Sequence, residues 1–181
     1  MFKDFIEKNI RVKKGNIYCR IAGNGPPLLL LHGYPQTHVM WHKIAPELSK
    51  NFTIIVADLR GYGSSMVLPS DSKHETYSKR EMAADMVQLM TILGYEKFFI
   101  AGHDRGGRVA HRLARDYRNK VIAMSVLDIC PTLDMYEATN MEFAKSYFHW
   151  YFLIQPKYLP EKMIISDPKA WMDSCLNKSI F

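Results

Sequence analysis

The stretch Phe98-Phe99-Ile100-Ala101-Gly102-His103-Asp104-Arg105-Gly106-Gly107 decides how this chain is read. It starts as an apolar strand, passes through a tight turn flanked by glycines, and continues as a helix from Arg105 to about Tyr117. So sharp a turn puts its central residue, Asp104, at a positive φ. Small residues two before and two after it, Gly102 and Gly106, let strand and helix approach closely. The outcome is a carboxylate held above the carboxyl end of a sheet. A serine at such an apex transfers acyl groups, whereas an aspartate displaces a leaving group from an electrophilic carbon and becomes an ester. Read alone, the same residues also suit a turn with a helix-capping Asp.

Working outward, the β-α alternation extends over most of the chain. Residues 10–13 and 17–22 read as a hairpin around Lys14-Gly15-Asn16, and Leu28–Leu31 as a strand buried on both faces. A helix is expected over about Met40–Ser49, a strand over Phe52–Ala57, and a helix over 79–93 with Met82, Met86, Leu89, Met90 and Leu93 at helical spacing. A last buried strand is expected over Lys120–Ile129. The pattern predicts an α/β fold, a mostly parallel sheet with helices on both faces. Chemistry in such sheets collects beyond the strands' carboxyl ends, where His32, Asp58, Asp104 and Asp128 all fall. From Pro131 the texture changes to mixed aromatics, methionines and charges. The expected division is a core over 1–130 and the start of a helical cap over 131–181.

Composition narrows the function classes. The 181 residues are 48% hydrophobic, enough for a globular core. No apolar run approaches the roughly 20 residues of a membrane helix, and no signal-peptide pattern opens the sequence. Cys19, Cys130 and Cys175 are few and scattered, which predicts a reducing, cytoplasmic setting without a disulfide framework or metal site. The net charge of +6 is spread without interleaved aromatics, so nucleic acid is not an expected partner and a small anion suits it better. No cofactor is expected.

Four stretches carry a family resemblance. They are His32-Gly33-Tyr34-Pro35-Gln36-Thr37, Asp58-Leu59-Arg60-Gly61-Tyr62-Gly63-Ser64-Ser65, Gly102-His103-Asp104-Arg105-Gly106-Gly107-Arg108, and Phe148-His149-Trp150-Tyr151-Phe152-Leu153-Ile154-Gln155-Pro156. The chain resembles the α/β-hydrolase superfamily, in particular the haloacetate (fluoroacetate) dehalogenases. The resemblance implies Asp104 as nucleophile, and Arg105 and Arg108 as binders of the substrate carboxylate. It implies Asp128 as the acid that orients the catalytic histidine, His149 and Trp150 as halide binders, and the backbone N–H groups of Tyr34 and Arg105 as the oxyanion hole. A cis Tyr34–Pro35 bond is expected, and His32 and His103 read as structural. The arginine pair also makes physical sense: i and i+3 share a helix face, and guanidinium matches a carboxylate fork. The resemblance further implies a small haloacetate substrate, no metal, and a homodimer at full length.

One element of the pattern is missing. The family's histidine follows the last strand, and none of the seven histidines here lies beyond His149. On this reading the chain stops inside the cap at Phe181 and covers about the first three-fifths of the fold. The readings left open are a haloacetate dehalogenase sequence, an epoxide hydrolase with the same kind of nucleophile, and a non-catalytic remnant that binds without turnover. Epoxide hydrolases usually carry Trp where this chain has Arg105 and lack the arginine at Arg108.

Overall fold

A computed structural model of the protein describes residues 1–176. Six strands form one sheet: β1 (Ile6–Val12), β2 (Gly15–Ala22), β3 (Pro27–Leu31), β4 (Thr53–Ala57), β5 (Phe98–His103) and β6 (Val121–Leu127). Their spatial order is β1-β2-β4-β3-β5-β6. The first two strands are antiparallel to their neighbours, and β4, β3, β5 and β6 run parallel. His32, Asp58, Asp104 and Asp128 therefore stand in a row, each one residue past a parallel strand, at the same end of the sheet.

The apolar run of β3 divides between two cores. Leu29 and Leu31 join Ile55, Ala57, Met82, Met86, Phe98, Ile100 and Val109 on one face. Leu30 joins Phe2, Trp41, Ile54 and Val56 on the other. This strict alternation follows from the two-residue period of a strand, and it explains why Leu28–Leu31 and Ile54–Ala57 contain no polar residue. Each fully buried Ile or Leu contributes about 1.5–3 kcal/mol relative to exposure. On the first face lie α2 (Lys79–Ile92) and α3 (Arg105–Asp116), which pack against each other, and α3 also rests on β5 and β6. Ser78 caps α2 by accepting from the Glu81 N–H at 3.3 Å.

Three expectations are corrected. The hairpin turns at Lys13-Lys14, since Val12 pairs with Gly15, and both strands are longer than the pattern suggested. Gly15 belongs to the strand, where a Cβ would come within 2.5 Å of Met66 Sδ. The expected helix over 40–49 is instead a 3₁₀ helix, His38–Lys43, followed by the single turn α1 (Ala45–Leu48). Pro46 lies in that turn's start, where its missing N–H costs nothing. Finally, β6 is not buried. It forms the sheet edge, with Ile122 50% and Val126 43% exposed.

The chain divides into two compact units, Met1–Ile129 and the residues from Cys130 onward. The second is helical: α4 (Thr132–Glu137), α5 (Met141–Ser146), α6 (Phe148–Phe152), α7 (Leu159–Ser166) and α8 (Pro168–Leu176). Its helices are short, and aromatic pairs knit it together. Phe143 stacks on Tyr147 at 4.8 Å, and Phe152 meets Trp171 at 5.3 Å. Among the described residues no helix is long and apolar enough to cross a membrane.

Candidate active site

The turn between β5 and α3 is built as the glycines require. Asp104 sits at φ 47°, ψ −113°, outside the ordinary regions for a residue with a Cβ. Its N–H donates to Leu127 O at 3.1 Å and its carbonyl accepts from Arg108 N–H at 3.2 Å, which fixes it between β6 and α3. A Cβ on Gly102 would lie 2.3 Å from Gly106 O, and one on Gly106 would lie 2.4 Å from Leu31 O. Neither contact involves a side chain that could move aside. Strain of this kind, held by the surrounding backbone, is common where a reactive group is presented.

The loop after β3 supplies the other wall. Gly33 passes so near that a Cβ there would fall 2.5 Å from the Asp104 Cβ. The Tyr34 N–H consequently reaches the carboxylate and donates to Asp104 Oδ1 at 2.8 Å. The Tyr34–Pro35 peptide is cis, as the sequence led us to expect.

Arg105 and Arg108 occupy adjacent turns of one α3 face, and both are half-buried rather than solvated. The Arg105 guanidinium lies over the Tyr34 ring at 5.2 Å. It also hydrogen-bonds the Tyr62 side chain, whose phenol is pushed up by burial against the opposing pull of Arg105. A third cation, Lys79 at the head of α2, is half-buried and feels the charges of this helix. Burial, then the charges of Arg105 and Arg108, lower its pKa to about 8, while Asp104 works the other way. Lys79 carries no motif, and nothing in the sequence marked it.

The remaining strand-end residues divide into framework and open positions. Asp58 is fully buried and accepts from His38 N–H at 2.7 Å and Ser64 N–H at 3.0 Å, with His38 Nδ1 at 2.9 Å. Burial pushes its carboxyl up, but these hydrogen bonds outweigh it and hold the pKa below the usual value. His32 is equally buried. Its Nε2 accepts from Leu59 N–H at 3.0 Å, so its Nδ1–H donates to Gly33 O at 2.9 Å. Burial holds this ring neutral, its pKa below the ordinary 6.5. Both residues thus serve the loops around Asp104. Asp128 differs: its side chain is 81% exposed and its φ is 55°. His103 faces it, with Nε2 3.6 Å from Asp128 Oδ2 and Nδ1 3.1 Å from Gln36 Oε1.

His149 and Trp150 lie on α6 of the second unit. Trp150 sits among Phe143, Tyr147 and Tyr136, with ring centroids 5.4–5.9 Å apart. His149 stacks on Tyr147 at 5.8 Å. Among the described residues no cluster of His, Cys, Asp and Glu is arranged to hold a metal ion.

A carboxylate on a strained strand–turn–helix, at the carboxyl edge of a mostly parallel sheet, defines a hydrolase class, and a family match agrees with it. Residues 26–175 match the family model of the alpha/beta hydrolase fold, and the chain belongs to that family. A fluoroacetate dehalogenase from Burkholderia sp is 46% identical over 176 residues, covering 97% of this chain and 58% of that one. A soluble epoxide hydrolase from Corynebacterium sp. (strain C12) is 43% identical over 112 residues, 62% of this chain and 37% of that one. Among solved structures, a Nostoc sp PCC 7120 protein assigned to the α/β hydrolases superposes with a TM-score of 0.97 at 53% identity. That match covers 98% of this chain and 61% of the Nostoc chain. The chain thus spans about three-fifths of the length of the dehalogenase and of the Nostoc protein.

Proposed function

We propose that this chain carries the nucleophilic half-reaction of a haloacetate dehalogenase. The observation that carries this reading is Asp104 held at φ 47° beside the half-buried Arg105 and Arg108 on one helix face. A haloacetate presents a carboxylate one bond from its electrophilic carbon. With that carboxylate on the two guanidiniums, the α-carbon falls toward Asp104. Tyr34 N–H occupies Oδ1, so Oδ2 attacks. Its electron pair forms the C–O bond, the carbon–halogen bond breaks, and halide leaves. Oδ1 becomes the ester carbonyl, and the Tyr34 and Arg105 N–H groups would stabilise the oxyanion formed when water attacks it.

His149 and Trp150 are proposed to donate N–H groups to the departing halide. Asp128 is proposed to orient the histidine that activates water. The similarity to a protein named fluoroacetate dehalogenase supports these assignments, as do the sequence motifs in which these residues lie. No histidine follows His149 in these 181 residues, so the ester formed here should persist.

The test is intact-mass analysis after incubation with chloroacetate or fluoroacetate. We expect one carboxymethyl group per chain, mapped to Asp104, one equivalent of halide released, and neither with Asp104→Asn. Absence of the adduct would overturn the reading. An adduct from a neutral epoxide, with none from chloroacetate, would favour the epoxide hydrolase reading.

A further inference from the structure

The two edges of the sheet are built differently. β1 carries Glu7, Lys8 and Arg11, all exposed, and charges of this kind keep another strand from adding. β6 carries no charge, and every residue of it after Val121 is exposed. Its free backbone has a defined phase. Leu127 O accepts from the Asp104 N–H, so the peptide groups of Leu127 face β5, and those of Val126 and Met124 face outward. Phe98 pairs with Val121 and Ile100 with Met124, a slip of one residue that sets Ile122 and Ala123 together opposite Phe99. Phe98 and Ile100 share a phase, so Val121 faces outward along with Met124. Val121, Met124 and Val126 thus offer their N–H and C=O groups at even spacing, level with Phe98, Ile100 and Gly102.

This set is symmetric about its middle member. A two-fold axis through Met124 lays Met124 against Met124 of a second copy and Val121 against Val126, each in a hydrogen-bonded position. Ile122 and Ala123 then meet Ser125. The ends of the strand are complementary in charge. Arg118, which is exposed, and Lys120, which also holds Glu96 at 2.8 Å, precede β6, and Asp128, with its side chain 81% exposed, follows it. Antiparallel pairing brings the cationic start of each strand beside the anionic end of the other, whereas parallel pairing would set like charges side by side. We propose that β6 is a self-association edge, to which a second copy of this 181-residue chain adds by antiparallel β6–β6 pairing centred on Met124, joining two six-stranded sheets into one. The proposal is independent of the roles of Asp104, Arg105 and Arg108.

The test is sedimentation equilibrium of the 181-residue chain over a range of concentrations. The mean mass should rise to twice that of one chain and stop there, because two-fold pairing uses up the edge. Met124→Lys brings two like charges together on the axis at an already exposed position, and it should weaken association at least about tenfold. Oxidative cross-linking in a Cys130→Ser/Cys175→Ser background gives a second readout. Residues in a hydrogen-bonded antiparallel pair have Cα atoms about 5.5 Å apart, within the span of a disulfide. Met124→Cys should therefore cross-link at least about tenfold faster than Ser125→Cys, whose two copies lie to either side of the axis and out of reach. A chain that stays monomeric at every concentration, an assembly that grows past the dimer, or a dimer that Met124→Lys leaves unchanged overturns the proposal. Should Met124→Lys not fold, the cross-linking comparison decides alone, and equal rates at the two positions overturn it.

Discussion

Replacing Gly106 by alanine is the most direct probe of how the elbow is held. The new methyl carbon would sit 2.4 Å from Leu31 O and 2.5 Å from His32 O, about 1 Å inside ordinary contact. Both atoms are backbone, on β3 and its exit, in the middle of the sheet. No rotamer change relieves the clash, so α3 must move outward by a comparable distance. That movement loosens the packing of Val109, Ala110 and Leu113 in the core. The cost should reach the upper end of overpacking effects, about 3 kcal/mol. For a chain of this size it corresponds to a fall in Tm of roughly 6–12 °C. Because Asp104 heads the displaced helix, its alkylation by chloroacetate should slow by about a hundredfold. Gly94→Ala is the matched control. Its added carbon meets nothing within 4 Å, and only the positive φ of 89° penalises it, by about 1–2 kcal/mol. Thermal melts and chemical-denaturant titrations of both variants measure the difference. If Gly106→Ala melts within about 2 °C of the unmodified chain and is alkylated at the same rate, close backbone approach is not what fixes the nucleophile.

Two further outcomes concern the framework. Arg60 is fully buried and pairs with Asp85 through two bonds of 2.7 and 2.8 Å, so Asp85→Leu alone should cost about 3–5 kcal/mol by stranding the guanidinium. The double variant Arg60→Met/Asp85→Leu should recover much of that loss, which denaturant titration would show. His32 must be neutral in the fold, whereas in the unfolded chain it takes up a proton near its ordinary 6.5. Stability from this residue is therefore full above that pH and declines as pH falls below it. His32→Gln should flatten the decline in melts between pH 7 and pH 5, and an unchanged slope would refute the assignment.

How far the sequence disclosed this depends on the distance over which each feature is encoded. The elbow was legible because its determinants are local: two glycines, an apolar strand before them and a helix after. The row of strand-end residues was legible for the same reason, since each follows directly on an apolar run. Gly15 misled, because the contact that needs it is with Met66, far away in sequence. The expected helix over 40–49 broke because the 3₁₀ turn is tied to a buried carboxylate, Asp58, that local spacing does not reveal. Asp58 itself, at a position equivalent to Asp104 in the row, proved to be framework once its partners His38 and Ser64 were seen.

The exposed edge at β6 also changes the kinetics of folding for this 181-residue chain. The strand Val121–Leu127 contains no charged residue and no proline, and one side of its backbone is unpaired within the sheet. Closing the sheet is a first-order event, whereas edge-to-edge pairing between two chains is second-order. The yield of monomer on refolding is therefore set by dilution as much as by temperature or denaturant, and the concentration at which the two rates cross becomes a property of these seven residues.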